Sequence, residues 1–145
     1  MTDQVRNVLY KPRWIKRRIG CKRAKIDALK ARVETRGINY DKLAVQTSPS
    51  DVMADTIAEI ADLERECDEL CKQYDESLKA VEDAVSLLDD ETEYTILYMI
   101  YVGHKPFTDV AEAVSYSYRH AHRIMRNAIQ HLDEKMSHMS QIDSV

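Results

Sequence analysis

FTDVAEAVSYSYRHAHRIMRNAIQHL, residues 107–132, decides how the chain is read. Two helical patterns stand on either side of Ser115-Tyr116-Ser117. Val110, Ala111, Val114, Tyr116, Ala121, Ile124 and Ile129 have the spacing of two short helices that bury one face against each other. Thr108 or Asp109 is the expected cap of the first helix, near 109–114, and Ser117 the N-cap of the second, which runs to about Met136. The second helix then turns Tyr118, Arg119, His120, His122, Arg123 and Arg126 outward, with no acid before Asp133. A plain helical bundle would show the same apolar spacing, but its solvated face would mix signs. An Arg/His face on the second of two tightly joined helices suits the DNA major groove. Arg there makes bidentate contacts to guanine and phosphate, and Tyr or His reaches phosphates or stacks on bases.

Upstream, Tyr94, Ile96, Leu97, Tyr98, Met99, Ile100, Tyr101 and Val102 predict a short helix apolar on most sides, hence buried. Asp89-Asp90-Glu91-Thr92 precedes it, and Gly103 is its expected stop. The longest element lies before that. Ile57, Ile60, Leu63, Cys67, Leu70, Tyr74, Leu78, Val81, Val85 and Leu88 step by three and four, with two successive fours around Tyr74 that read as a stutter. About 38 residues without Gly or Pro make a rod of roughly 57 Å. Such a rod has no core of its own and needs a partner.

A first helix could cover part of it, folded back antiparallel. Ile15, Ile19, Lys22, Ile26, Leu29 and Val33 form a narrow stripe, with Pro12 near the predicted start and Gly37 near the predicted end. Residues 38–50 read as a connector, in which Thr47, Ser48, Pro49, Ser50 and Asp51 announce the second helix.

Net charge of -4 conceals a polarised chain. Residues 1–36 carry twelve Lys/Arg against three Asp/Glu, whereas 37–100 carry four against seventeen and 101–145 five against five. Arg13, Lys16, Arg17, Lys22 and Arg23 are candidate phosphate contacts, which would add a steep salt dependence. The competing reading packs this basic helix on the acidic rod, where exposed ion pairs fix register and add little stability. No apolar run approaches the roughly 20 residues that span a bilayer, and the odd count of three Cys suits a reducing compartment, so a cytoplasmic protein is expected.

Phe107 to Leu132 resembles region 4 of sigma-70-type sigma factors, the module that reads the upstream promoter element. Val110, Ala111, Val114, Ser117, Ile124, Ala128, Ile129 and Leu132 stand at that module's hydrophobic, turn and capping positions. VQTSPSDVMADTIAEIADLERECDEL at 45–70 and ETEYTILYMIYVGHKPFTDVAEAVSYSYRHAHRIMRNAI at 91–129 resemble a family of small phage and prophage proteins of Gram-positive bacteria. That family is grouped with late-gene transcriptional regulators. The likeness implies DNA binding in transcription control by a phage- or prophage-encoded protein of the bacterial cytoplasm. Two departures stand out. Ser115 occupies a position where such turns usually have Gly, so it must take a left-handed or otherwise adapted conformation. Lys105-Pro106 is an unusual lead-in, and Lys105 becomes a further candidate phosphate contact.

Other chemistries fit poorly. His120-x-x-Arg123 echoes tyrosine recombinases, whose catalytic domains exceed this whole chain. His120 and His122 lie two apart and point in opposed directions on a helix, so they cannot share a metal. Cys67 and Cys71 share a face, but with no His or third Cys nearby they read as small hydrophobes in a seam. No Gly-rich phosphate loop exists, and neither an enzyme, a metal nor a cofactor is expected.

The sequence therefore predicts an all-α protein. Residues 1–90 form a long helical hairpin or coiled coil for oligomerisation, 91–136 a helix-turn-helix DNA-binding domain and 137–145 a flexible tail. The uncovered rod predicts a homodimer, which would set two reading helices on two half-sites. Double-stranded DNA is the expected partner, with RNA polymerase a second. Two alternatives remain: an adaptor acting on polymerase or another protein, and a small-terminase-like packaging protein. The latter usually carries its DNA-binding unit first, the reverse of the order here.

Overall fold

The computed structural model describes residues 1–40 and 49–143, and the fold is all-α. Among the described residues there are five helices and no strand: α1 (Asp3–Tyr40), α2 (Pro49–Val85), α3 (Glu91–Tyr101), α4 (Phe107–Ala113) and α5 (Tyr118–Asp143). No described helix is long and apolar enough to cross a membrane. The expected connector falls largely at 41–48, with Thr47 and Ser48, outside the described residues. α2 starts at Pro49, where a missing N–H costs nothing because a first-turn donor has no helical acceptor.

α1 corrects the sequence reading at both ends. It begins at Asp3, capped by Thr2, whose Oγ1 accepts the Val5 amide at 3.4 Å and whose carbonyl accepts that of Arg6 at 3.0 Å. Pro12 is therefore inside the helix and not at its start. Interior proline costs about 3 kcal/mol, because the carbonyl four residues back loses its donor and is crowded by the ring. The burial of Val5, Leu9 and Pro12 itself, each under 2% exposed, offsets that cost. The helix also continues through Gly37 to Tyr40.

The chain divides into two compact units, and both long helices contribute to each. One unit is Trp14–Tyr74. Here Ile26 and Leu29 of α1 pack with Leu63 and Cys67 of α2, while Ile15 and Ile19 pack with Leu70, Cys71 and Tyr74. Later α1 residues thus meet earlier α2 residues, which makes the two segments antiparallel. Lys22–Glu66 at 2.7 Å, Lys25–Glu59 at 3.2 Å and Lys30–Glu64 at 3.2 Å line the join, so the basic stripe does pack on the acidic one. Lys22 holds the Glu66 carboxyl below its ordinary pKa by hydrogen bond and charge. All three pairs are solvent-exposed and serve register more than stability.

The expected stutter in α2 is absent. Ser77 is 5% exposed and Leu78 only half-buried, so the inward line is Leu63, Cys67, Leu70, Tyr74, Ser77, Val81 and Ala84. Those steps alternate four and three without a break, the regular coiled-coil rhythm.

The other unit is Met1–Arg13 with Asp75–Val145. Its core joins Val5 and Leu9 of α1, Val81, Ala84 and Val85 of α2, and Leu88 just beyond it. Ile96, Leu97, Ile100 and Tyr101 of α3, Val110 of α4, and Ala128, Ile129 and Leu132 of α5 complete it. Asp90 is the N-cap of α3, and its Oδ1 accepts the Glu93 amide at 2.9 Å. Glu93 is 8% exposed, and both its oxygens lie within 2.9 Å of His131 Nδ1 on α5. Arg13 donates to the Ile100 carbonyl at 3.1 Å and lies over the Tyr101 ring. Thr2 donates to Asp133 from both its amide, at 3.0 Å, and its hydroxyl, at 2.7 Å. The first turns of α1 are thus core and clamp of this unit. α5 extends to Asp143, beyond the expected end at Met136, because Met136 packs on the core and Gln4 Nε2 reaches Ser140 Oγ at 3.2 Å.

Candidate nucleic-acid interface

The candidate surface is built on two turns. After α3 the chain reverses through 102–106. The Gly103 amide bonds the Tyr98 carbonyl and the Lys105 amide the Met99 carbonyl, both at 3.0 Å. The left-handed residue is His104, φ 52°, and not Gly103. Glycine is needed at 103 for a different reason: a Cβ there would sit 2.9 Å from the Met99 carbonyl oxygen. Pro106 then occupies the N-cap of α4 without a side-chain bond, so neither Thr108 nor Asp109 caps this helix as expected.

The second turn aims α5. α4 closes with the Tyr116 amide bonded to the Ala111 carbonyl and the Ser115 amide to the Glu112 carbonyl, both at 3.1 Å. That double pattern is a Schellman stop, and it requires a left-handed residue at Ser115. Ser115 takes φ 61°, the adaptation expected for a non-glycine residue there. Ser117 caps α5 as predicted, its Oγ accepting the His120 amide at 3.2 Å. Val110, Ala111, Ala121 and Ile129 are buried, and Val114 and Ile124 half-buried. Tyr116 departs from expectation: it is exposed, with its ring edge-on to His120 at 4.7 Å.

The outward residues of α5 fall into two sets. At about 100° per residue, Arg119, Arg123 and Arg126 lie within about 60° of one another, opposite the buried line Ala121, Ala128 and Leu132. All three are exposed, as are His120 and Lys105. Tyr118 and His122 are held by Phe107 at the start of α4. The Phe107 ring meets Tyr118 edge-on at 4.8 Å and lies 4.3 Å from His122, and Tyr118 and His122 are 5.3 Å apart. Phe107 is the organising residue that the sequence reading missed. Its signal was available, since it is the chain's one Phe and stands four residues after the Gly103 stop.

The N-terminal candidates also separate. Arg13 is bound to Ile100 and Tyr101, Lys22 to Glu66, and Arg23 Nη2 lies 3.9 Å from Cys71 Sγ. Lys16 and Arg17 are exposed. Elsewhere, the Glu93 carboxylate raises the pKa of His131 by accepting a hydrogen bond from its ring, against an opposing burial penalty, with charge from Glu93, Glu134 and Asp90 adding to the rise. No group of His, Cys, Asp and Glu among the described residues could hold a metal ion.

The chain matches no family model, and no curated protein or solved structure is significantly similar to it.

Proposed function

We propose that this chain is a sequence-specific DNA-binding regulator whose α4–α5 pair works as a helix-turn-helix, with α5 entering the major groove. The observation that carries the reading is the Arg119, Arg123 and Arg126 stripe. It is exposed, of one sign, and mounted on a helix whose start is fixed by a left-handed Ser115 and a Ser117 cap. Arginine on such a stripe makes bidentate contacts to guanine or clamps phosphate, while α4 crosses the backbone. Tyr118 and His122, stiffened by Phe107, supply the groove edge, and Lys105 precedes α4 as a phosphate contact. The likeness of 107–132 to sigma region 4 favours promoter-proximal control of phage or prophage genes. A dimer fits the same reading, because Val52 and Ile57 of α2 remain half exposed. Selecting fragments of host and phage genomes on the purified chain tests it. A recurring motif in the bound fragments is expected, and recovery of unrelated fragments at every salt concentration would overturn it.

A further inference from the structure

We propose a second nucleic-acid contact, formed by Trp14, Arg17 and Arg18 on α1 with Lys16 further round the helix, which takes the phosphate backbone without reading sequence. It deepens the reading of α5 as a DNA-binding helix but stands on different residues. Charge alone did not single these out, since residues 14–26 hold six Lys/Arg and no acid. The antiparallel join separates them. Lys22 and Lys25 are drawn to Glu66 and Glu59, and Arg23 leans on Cys71. Arg17 and Arg18 remain exposed, three and four residues after Trp14, which makes them its neighbours on the helix surface. Trp14 is itself 47% exposed, more than any other large apolar side chain of α1 from residue 14 to 35.

An indole flanked by guanidinium groups suits a polyphosphate chain: arginines take the phosphates, and the ring stacks on a base or covers a sugar. An anionic membrane would also attract the charge. A helix lying on a membrane, however, needs an apolar face to insert. The apolar face of α1 is spent, since Ile15, Ile19, Ile26 and Leu29 are buried against α2. One exposed Trp is no substitute, so nucleic acid is the occupant favoured.

Because Trp14 is the chain's one tryptophan, its emission reports this patch and no other. The full chain is titrated with a duplex carrying the selected motif, with a duplex of random sequence, with oligo(dT) and with anionic phosphatidylserine vesicles. The same titrations are run with K16Q/R17Q/R18Q, whose glutamines preserve helix propensity, and with R119A/R123A. Trp14 emission is expected to fall on saturation with nucleic acid, duplex and oligo(dT) telling backbone contact from base stacking. The triple variant should lower the slope of log affinity against log salt by about 2 to 3 on duplex, with its sequence preference kept. R119A/R123A should do the reverse, losing preference while the Trp14 response persists. An unchanged slope in the triple variant with unchanged Trp14 emission overturns this contact even if α5 binds as proposed. A Trp14 response to vesicles alone overturns it in favour of a membrane. A triple-variant effect without an R119A/R123A effect supports this contact while removing the α5 reading.

Discussion

Replacing Ser115 probes the joint that aims α5. An L-residue held in the left-handed region costs about 1–2 kcal/mol, because its Cβ crowds the neighbouring carbonyl. Ser115 sits there at φ 61°, and its side chain is exposed, so S115G removes the crowding without opening a cavity. Glycine returns about 0.4–1 kcal/mol of that gain through its larger freedom in the unfolded chain. The net is a stabilisation of about 0.5–1 kcal/mol, or a rise of roughly 2–3 °C in melting temperature for a chain of this size. Asparagine tolerates the same region and should give a smaller rise. Alanine keeps the Cβ and should give no rise, while valine, branched at Cβ, should melt below the native chain. Thermal melts followed by circular dichroism, with urea titrations as a check, read the series. Equal melting temperatures for S115G and S115A would refute the left-handed turn and with it the described direction of α5.

Other consequences follow from the packing and the charges. Leu9, fully buried among α2 and α3 residues, should cost about 2–5 kcal/mol as L9A in urea unfolding, despite its place at the start of the basic helix. G103A must push against the Met99 carbonyl oxygen and should lower stability by about 1–3 kcal/mol, read by the same melts. His131 has its pKa raised in the folded state by Glu93, so its contribution is whole below the unfolded-state value near 6.5 and fades as pH rises through the folded value. Melting temperature should accordingly fall from pH 6 to pH 8, by little because the imidazole is half exposed, and H131Q should flatten that portion of the profile.

What was legible in the sequence follows from how local its causes are. Ser115 and Ser117 were readable because turn and cap act within a few residues of themselves. The apolar stripes of α1 and α2 were readable because burial on a helix imposes a fixed period. Pro12 was misread for the same reason in reverse. Its local preference for a helix start is overridden by a tertiary core into which Val5, Leu9 and Pro12 itself fit. Ser77 is hidden in the sequence because hydrophobicity favours its neighbour Leu78, whereas an unbroken seam needs a residue at 77 whatever its polarity. In the candidate interface, the Arg stripe could be placed from spacing alone. The division of labour could not, since the restraint of Tyr118 and His122 by Phe107 and the removal of Arg13 to Ile100 depend on contacts between distant segments.

The central claim is that Arg119 and Arg123 read bases. Fluorescence anisotropy with a labelled duplex carrying the selected motif, against a scrambled duplex at the same salt concentration, measures it as a ratio of affinities. Each bidentate Arg–base contact is worth about 1–3 kcal/mol of discrimination. R119A/R123A should therefore reduce the ratio by about 30-fold or more while helicity by circular dichroism stays unchanged. A double variant that keeps the native ratio would contradict the account.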